Sequence, residues 1–210
     1  MTMEQRGLFI TFEGPDGSGK STQIRILKEW LEEQGCRCIL SREPGGTVIS
    51  EKIRDIILDK EHREMDPRTE ALLYAAARAQ HVAQVIRPAL EGGTMVICDR
   101  FTDSSIAYQA YGRGLGEDVA VINRFATEEL SPDVTFLLQL SPEEGHRRIE
   151  GREQDRMELE KMDFHQRVFE GYRRLEEKEP QRIIAIDASQ TIETISAVIR
   201  GRMEELLSCR

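Results

Sequence analysis

A glycine-rich segment near the start of the chain carries the most readily defined chemistry. It reads Gly14-Pro15-Asp16-Gly17-Ser18-Gly19-Lys20-Ser21, a complete G-x-x-x-x-G-K-S followed by Thr22. In such a loop the glycines let backbone N–H groups turn inward around phosphate oxygens. Lys20 can then reach the β- and γ-phosphates, and the Ser21 hydroxyl can ligate Mg²⁺. The segment predicts binding of a nucleoside triphosphate, but it does not say what is done with it.

Two classes of protein that share such a loop are disfavoured. A GTPase needs an N-K-x-D motif to read its base, and the sequence contains none. A helicase or another motor ATPase is usually larger and does not need a second pocket for a small molecule. The next question is therefore whether the chain carries a second substrate site.

Three further segments could form that second site. The first is Ser41-Arg42-Glu43-Pro44-Gly45-Gly46-Thr47, where proline and glycines predict a loop. The second is Leu72-Leu73-Tyr74-Ala75-Ala76-Ala77-Arg78, in which Tyr74 and Arg78 share one face of a helix. The third is Cys98-Asp99-Arg100-Phe101, followed by Ser104-Ser105-Ile106-Ala107-Tyr108-Gln109.

Together these motifs resemble thymidylate kinase in its bacterial form. The family pattern is a phosphate loop with an internal acid, then R-E-P-G-G-T, L-L-x-A-A-x-R, and D-R-[FYH] before a segment ending A-Y-Q. The similarity follows this order along nearly the whole chain, and R-E-P-G-G-T with D-R-F is highly specific. The resemblance implies a homodimeric enzyme that uses Mg-ATP to phosphorylate dTMP to dTDP by direct in-line transfer, for dTTP synthesis.

The resemblance also implies roles for individual residues. Arg100 would grip the acceptor phosphate through the bidentate fork of its guanidinium. Asp99 would lie where the Mg²⁺ shell meets the attacking phosphate oxygen. Tyr74 stands at the aromatic position where the thymine ring stacks, and Arg78 would bond a carbonyl at the edge of the base.

Other matched positions surround the acceptor. Tyr108 would lie under the deoxyribose and crowd a 2′-hydroxyl, and Asp16 would face the 3′-hydroxyl. Further candidates for the base edge and the acceptor phosphate site are Ser105, Gln109, Arg42, Glu43 and Pro44.

A basic, polar stretch after the fourth predicted strand is typical of a mobile lid, at about residues 147–160. Its arginines are Arg147, Arg148, Arg152 and Arg156. Gly17 stands where other members of the family have an arginine in the phosphate loop, and bacterial members supply that arginine from the lid. Arg152 is the expected residue, with Arg148 as the alternative.

Alternatives remain at this point. Tyr74 could be core packing, Arg78 a surface charge, and Asp99 with Arg100 a structural ion pair. The lid could be a solvated charged surface. The acceptor could be another nucleoside monophosphate or a free deoxynucleoside, although adenylate kinase is disfavoured because its loop normally reads G-x-P-G-x-G-K-G. A non-catalytic nucleotide-binding regulator is the alternative from another class.

Strand-like runs alternate with amphipathic stretches, as in βαβ units. The pattern predicts one α/β domain over residues 1–210, a P-loop NTPase-type five-stranded parallel sheet with helices on both faces. The predicted strands are 8–13, 37–41, 95–98, 134–140 and 182–186. The predicted helices are 20–34, 49–58, a long helix from Asp66-Pro67 to about Arg87 that ends before Pro88, 104–111, 118–129, 142–150, 159–177 and 192–207.

Composition narrows the partners. The net charge of −9 and a pI near 5.1 argue against an extended nucleic-acid surface. The apolar runs are too short to span a bilayer and the N-terminus does not resemble a signal peptide, so we expect a cytoplasmic protein. The cysteines match no zinc pattern and are expected to be structural: Cys36, Cys38, Cys98 and Cys209. Gln139 departs from the acidic residue that many relatives have there.

Overall fold

The computed structural model describes residues 6–151 and 153–208. Five parallel strands form one sheet in the order β2-β3-β1-β4-β5, which confirms the predicted fold class. The strands are β1 (Phe9–Glu13), β2 (Cys38–Arg42), β3 (Met95–Asp99), β4 (Val134–Gln139) and β5 (Ile183–Asp187). β3 and β4 are almost fully buried, as continuous apolar runs in a parallel sheet require.

The helices lie between and after the strands. They are α1 (Lys20–Glu33), α2 (Val48–Leu58), α3 (Pro67–His81), α4 (Arg87–Glu91), α5 (Thr102–Ser105), α6 (Asp118–Thr127), α7 (Pro142–Ile149), α8 (Met162–Lys178) and α9 (Ile192–Ser208). Two π-helical segments, Val82–Ile86 and Ile106–Gly112, join α3 to α4 and follow α5. Asp66 caps α3 by accepting a hydrogen bond from the N–H of Arg68, and Pro67 occupies the first turn.

Each face of the sheet is covered by its own group of helices. On one face α1 and α9 pack against β1 and β4 through an apolar cluster that includes Leu27, Ile199 and Phe136. On the other face, Val82 and Ile86 of the first π-helical segment pack with Phe9 and Val96. α8 forms a third cluster with the second π-helical segment, β4 and β5. The interior is therefore a rigid platform for the loops at its carboxyl edge.

The predicted end of the long helix before Pro88 is wrong. The chain remains helical from Pro67 to Glu91, with π-helical geometry at Val82–Ile86 and the Arg87 N–H donating to the Val82 carbonyl. A proline within an α-helix clashes with the carbonyl four residues earlier. The wider turn just before Pro88 changes the position of that carbonyl, and so the helix can continue.

The central strand β1 is the point at which the strand order reverses. The chain proceeds from β1 outward to β2, returns to β3 beside β1, and then crosses to β4 on the other side. In register, Phe12 lies beside Asp99 of β3 and beside Phe136 of β4. Open parallel sheets bind ligands at the carboxyl edge of such a switch point. The phosphate loop and the Asp99-Arg100 pair both emerge there.

The described cysteines are all buried or partly buried. Cys98 is buried in β3, where burial raises the pKa of its thiol, while Cys36 and Cys38 are partly buried beside the α1 core. Cys209 lies outside the described residues.

Within residues 6–151 and 153–208, no helix is long and apolar enough to cross a membrane.

Candidate active site

The phosphate loop has the backbone that its glycines predict. Gly14, Gly17 and Gly19 all have positive φ angles, of 128°, 80° and 91°. Lys20 begins α1 and folds back over the loop, where its Nζ donates to the carbonyls of Gly14 at 3.0 Å and Pro15 at 2.9 Å. Burial lowers the pKa of Lys20, and the neighbouring Arg100 lowers it further, while nearby carboxylates oppose both. A cation in this setting is poorly hydrated and well suited to an anionic ligand.

Helix α7 packs directly on the phosphate loop at Gly17. A Cβ atom built on Gly17 would lie 3.0 Å from the Cβ of Arg148, 3.2 Å from the Gly145 carbonyl oxygen and 3.3 Å from Cγ2 of Ile149. These separations are tighter than ordinary van der Waals contact. The absence of a side chain at Gly17 therefore makes room for α7.

Asp99 and Ser21 line one cavity with Lys20 at the carboxyl edge of the sheet, and we call it the phosphate cavity. The Oδ1 atom of Asp99 is buried and has no hydrogen-bond partner among the described residues. The Ser21 hydroxyl belongs to an exposed residue at the start of α1. No group of three or more His, Cys, Asp or Glu side chains in the described residues could hold a metal. Such a sparse donor set fits Mg²⁺, which proteins bind through one or two side chains plus waters and substrate phosphates.

Arg100 occupies the centre of the site in a strained conformation. Its φ of 70° is uncommon for a residue with a side chain, and its N–H is held by the Phe12 carbonyl at 2.9 Å. The guanidinium donates to Asp16 Oδ1 at 3.1 Å and lies 5.2 Å from the centre of the Tyr108 ring. Burial acts to lower the pKa of Arg100, but Tyr108, Asp16 and other neighbours raise it well above its usual value. The group is a fixed positive charge aimed into the site.

Glu13, which sequence reasoning missed, holds the Arg100 loop in place. It ends β1 and is fully buried; Oε1 accepts from the N–H groups of Phe101 at 2.8 Å and Ser104 at 3.2 Å. Oε2 accepts from the hydroxyl of Tyr172 in α8 at 2.8 Å. Burial raises the pKa of Glu13 to about 7, and the nearby charge of Asp103 adds to the rise. The position just before the phosphate loop was the available signal, since a glutamate at the end of a buried strand needs partners.

A second cavity adjoins the phosphate cavity and shares Asp16, Glu43, Arg54 and Arg100 with its lining. Of the residues predicted to contact the acceptor, the structure brings the following to its wall: Asp16, Glu43, Pro44, Tyr74, Arg78, Arg100, Ser105, Tyr108 and Gln109. Arg42 lines only the phosphate cavity, and its exposed side chain pairs with Glu51 at 2.9 Å. Arg54, which was not predicted, lines both cavities and donates to the Pro44 carbonyl at 2.9 Å.

Arg78 is buried and not a surface charge. Only 1% of the residue is exposed, and its Nε donates to Glu43 Oε2 at 2.6 Å. The other oxygen of Glu43 accepts from Nδ1 of His81 at 2.9 Å. Both oxygens of Glu43 are thus bonded to side chains of α3, so this carboxylate braces a wall that lines both cavities.

A second buried carboxylate, that of Glu70, lies behind Gln109, which lines the same cavity. Glu70 accepts from Gln109 Nε2 at 2.9 Å and from Arg113 Nη2 at 2.8 Å, and it pairs with Arg156 at 2.8 Å. Burial alone would raise the pKa of Glu70, but Arg113, Gln109 and Arg156 together lower it. Arg156 also donates to the Ile57 carbonyl at 2.7 Å, which ties the lid exit to α2 and α3.

The other lid arginines are arranged differently. Arg148 donates to the carbonyls of Gly17 at 3.3 Å and Ala188 at 3.2 Å and pairs with Glu144, while Arg147 is largely exposed. Arg152, the expected lid arginine, lies outside the described residues. Among the described arginines of the lid, Arg148 is the one bonded to the phosphate loop.

The structure also shows what Gln139, at the end of β4, is bonded to. Its side-chain Nε2 donates to Glu176 Oε2 in α8 at 2.7 Å, and its backbone carbonyl accepts from the Ala188 N–H at 2.8 Å. An amide can donate to a carboxylate, whereas an acid in this position would repel it. Gln139 therefore joins the end of β4 to α8 in this chain.

Comparisons with known proteins agree with this geometry. A family model described as thymidylate kinase matches residues 12–199. The chain is 50% identical over 207 residues to the thymidylate kinase of Halalkalibacterium halodurans, covering 97% of this chain and 99% of that protein. It is 52% identical over 191 residues to that of Exiguobacterium sp., covering 90% of each. The crystal structure of thymidylate kinase from Ehrlichia chaffeensis matches with a TM-score of 0.75 at 32% identity, over 95% of this chain and 99% of that one. With a phosphate loop and a strained arginine beside two adjoining cavities, and with relatives of about 50% identity along nearly its whole length, this chain belongs to the thymidylate kinase family.

Proposed function

We propose that this chain performs the family reaction, the phosphorylation of dTMP to dTDP with ATP, by direct in-line transfer between two adjoining cavities. The observation that carries this proposal is that the two cavities share four lining residues, among them Arg100 and Asp16, with Glu43 and Arg54 as the others. We call the second cavity the acceptor cavity. A phosphate held by Arg100 would lie between it and the phosphate loop. A non-catalytic nucleotide sensor has no use for such a junction.

The acceptor side of the mechanism follows from its walls. Tyr74 and Arg78 line the inner end of the acceptor cavity, where a thymine ring would stack on the first and bond the second. Ser105 and Gln109 lie beside them as further polar contacts for the base edge. Tyr108 lies next to Arg100, under the place of the sugar, and would exclude a 2′-hydroxyl.

The transfer itself needs alignment and charge neutralisation more than covalent chemistry. Arg100 holds the acceptor phosphate, whose anionic oxygen attacks without the help of a general base. Lys20 and the N–H groups of the phosphate loop hold the ATP phosphates. The β–γ bridging oxygen leaves with ADP, and the γ-phosphoryl group passes directly to the acceptor oxygen with no phosphoenzyme.

Mg²⁺ is the proposed metal, held by Ser21 and Asp99 with the phosphates of ATP. When bound, it would neutralise charge on the transferring group. Its support is that the buried Oδ1 of Asp99 has no hydrogen-bond partner in the described part of the chain and lines the same cavity as the exposed Ser21. Both donors are hard oxygen atoms, as this cation prefers.

The remaining cation is proposed to come from the lid, about residues 147–160 of this single-domain chain. Arg152 is our candidate from the sequence, and Arg148 is the described residue that already reaches the phosphate loop. An arginine that engages the γ-phosphoryl group only after both substrates bind would act mainly on the transition state. We place the reaction in the cytoplasm, where both nucleotides are available.

The direct test is a coupled ADP-release assay with ATP across all nucleoside monophosphates and free deoxynucleosides. We expect steady ADP release with dTMP that greatly exceeds release with any ribonucleotide or with thymidine. ADP release that does not depend on dTMP would contradict the acceptor assignment. If the enzyme prefers a different monophosphate, the fold assignment would stand and the proposed substrate would be replaced.

We also propose that the protein is a homodimer. An apolar stripe on α3 and the π-helical segment after it faces outward, with Leu72 56% exposed, and continues onto α6 with Phe125 88% exposed. Ala79, Ala83 and Val121 line the groove between them. A second copy of the same surface is the occupant that the family resemblance favours. Light scattering should give twice the chain mass, and Phe125→Asp should give monomers.

A further inference from the structure

The guanidinium of Arg78 is held by its neighbours on every nitrogen. Besides Glu43 on Nε, its Nη1 donates to Ser105 Oγ at 2.9 Å and to Asn123 Oδ1, and its Nη2 donates to the Phe101 carbonyl at 2.9 Å. Four of the five N–H groups of an arginine are therefore used within the protein. The second N–H on Nη2 has no partner among the described residues, and Arg78 lines the acceptor cavity. The direction of that N–H is set entirely by the bonds to the other four.

Among these partners, Glu43 supplies the opposing charge. It is 4% exposed, and its second oxygen is satisfied by His81, which is itself fully buried. Because a carboxylate oxygen can only accept, Nδ1 of His81 carries the proton in this bond. The other ring nitrogen, Nε2, lies 2.6 Å from the hydroxyl of Ser41 at the end of β2. His81 thus connects β2 to the carboxylate that fixes Arg78.

The loop that lines the acceptor cavity rests on the same imidazole. Gly46 has a φ of 83°, and a Cβ atom built there would lie 2.6 Å from Nε2 of His81 and 2.8 Å from Oγ of Ser41. The second glycine of R-E-P-G-G-T therefore allows the loop to lie directly over the histidine. His81 is one helical turn after Arg78, on the same side of α3, where it supports both the loop and the carboxylate.

We propose that His81 is a positioning residue for base recognition. It holds Glu43 in the rotamer that fixes Arg78, so the remaining N–H of Arg78 meets the base at the correct angle. This inference rests on the proposed contact between Arg78 and the base. Without the Nδ1 donor, one oxygen of a buried carboxylate has no partner, which is strongly unfavourable. The carboxylate would then turn toward other N–H groups of Arg78 and shift the guanidinium.

Two substitutions separate the two ring nitrogens. His81→Asn places an amide N–H near the position of Nδ1 and gives up the bond to Ser41. His81→Gln reaches the position of Nε2 and gives up the donor to Glu43. The matched control is Val82→Ala, which removes methyl groups from the adjacent buried residue, 2% exposed, and touches none of these bonds.

For each variant we would measure kcat, KM for dTMP, KM for ATP, the thermal midpoint, and the ratio of kcat/KM for dTMP over dCMP. Cytosine carries an amino group where thymine carries a carbonyl oxygen, so this ratio reports on the Arg78 N–H. We expect His81→Gln to raise the KM for dTMP about tenfold, as loss of one charge-assisted hydrogen bond would. Its ratio should fall while kcat and the KM for ATP stay nearly unchanged. His81→Asn should restore both quantities to within about threefold of the parent.

Arg78→Ala distinguishes the possible failures. If Arg78→Ala leaves the KM for dTMP and the ratio unchanged, the base-site assignment itself is wrong. If Arg78→Ala changes them and His81→Gln does not, only the role of His81 is overturned. Equal effects of His81→Gln, His81→Asn and Val82→Ala would reduce His81 to a packing residue and would also overturn it.

Discussion

The base end and the phosphate end of the site hold their arginines in opposite ways. At the base end Arg78 and Arg156 are 1% and 8% exposed and bonded to buried carboxylates. Near the phosphate loop, the side chains of Arg147 and Arg148 are 73% and 34% exposed, and both pair with Glu144 on the same helix. Exposed pairs within one helix contribute little to stability and can exchange partners. The contrast indicates that Arg78 and Arg156 are fixed by the fold, as are Lys20 and Arg100, whereas the arginines of α7 are free to change partners.

The largest loss is expected at Lys20. Lys20→Met removes the buried ammonium from the β- and γ-phosphates while keeping the length of the side chain, so kcat should fall by on the order of 10³ or more. The thermal midpoint should change little, because Nζ bonds only loop carbonyls in the fold. Steady-state kinetics and thermal unfolding would be measured together. A folded variant with most of its activity would remove Lys20 from the site.

Arg152→Ala should come next. Its effect should appear in kcat more than in either KM, with a loss on the order of 10² to 10³. Single-turnover transfer at saturating ATP and dTMP is the measurement, with Arg148→Ala and Arg156→Ala for comparison. Arg156→Ala should instead lower the thermal midpoint, since it breaks the bridge to Glu70 and the bond to Ile57. A normal rate for Arg152→Ala with a large loss for Arg148→Ala would transfer the role to Arg148, and normal rates for all three would refute the lid arginine.

Arg100 lies where the two ends of the site meet, and its removal should cause an intermediate loss of activity. Arg100→Ala removes a charge-assisted contact to the acceptor phosphate that contributes about 1.5–3 kcal/mol, so kcat/KM for dTMP should fall roughly 10- to 100-fold. Binding of ATP should change little. Isothermal titration with each nucleotide would separate the two effects. Unchanged kinetics toward dTMP would mean that the junction between the cavities is not where the phosphate lies.

The smallest effect concerns stability. The pKa of Glu13 is raised from its ordinary value of 4.5 to about 7, mainly by burial. Between those values the folded protein retains a proton that the unfolded chain has released, so this group's contribution to stability falls as the pH rises. Glu13→Gln keeps an acceptor for the N–H groups of Phe101 and Ser104 and removes the titration.

The thermal midpoint of Glu13→Gln should therefore exceed that of the parent by a few degrees at about pH 8, and the two should converge toward about pH 5. Thermal unfolding across this range is the measurement, with Glu70→Gln as the comparison. Glu70 has a lowered pKa and three partners, so Glu70→Gln should lower the midpoint at about pH 8. Parallel curves for Glu13→Gln and the parent would show that Glu13 does not titrate in this range.

The sequence was sufficient for the sheet, for the phosphate loop and for most of the residues that line the acceptor cavity, but not for Arg54. Its apolar runs predicted all five strands, and motif order brought Tyr74, Arg78 and Tyr108 together. It did not predict which carboxylate pairs with which arginine. Glu43 and Arg78 are 35 residues apart, and no local periodicity relates them. The helix through Pro88 was missed for a different reason, since a π-helical turn leaves no signature in residue type.

The close contact between Gly17 and α7 couples the sequence of the phosphate loop to the position of that helix. A side chain at residue 17 would need a left-handed backbone that favours glycine and part of the volume now filled by Arg148 and Ile149. The separations of 3.0–3.3 Å mean that α7 would have to shift by a few tenths of an ångström to admit it. A change at residue 17 is therefore best tolerated together with smaller side chains at the facing positions of α7.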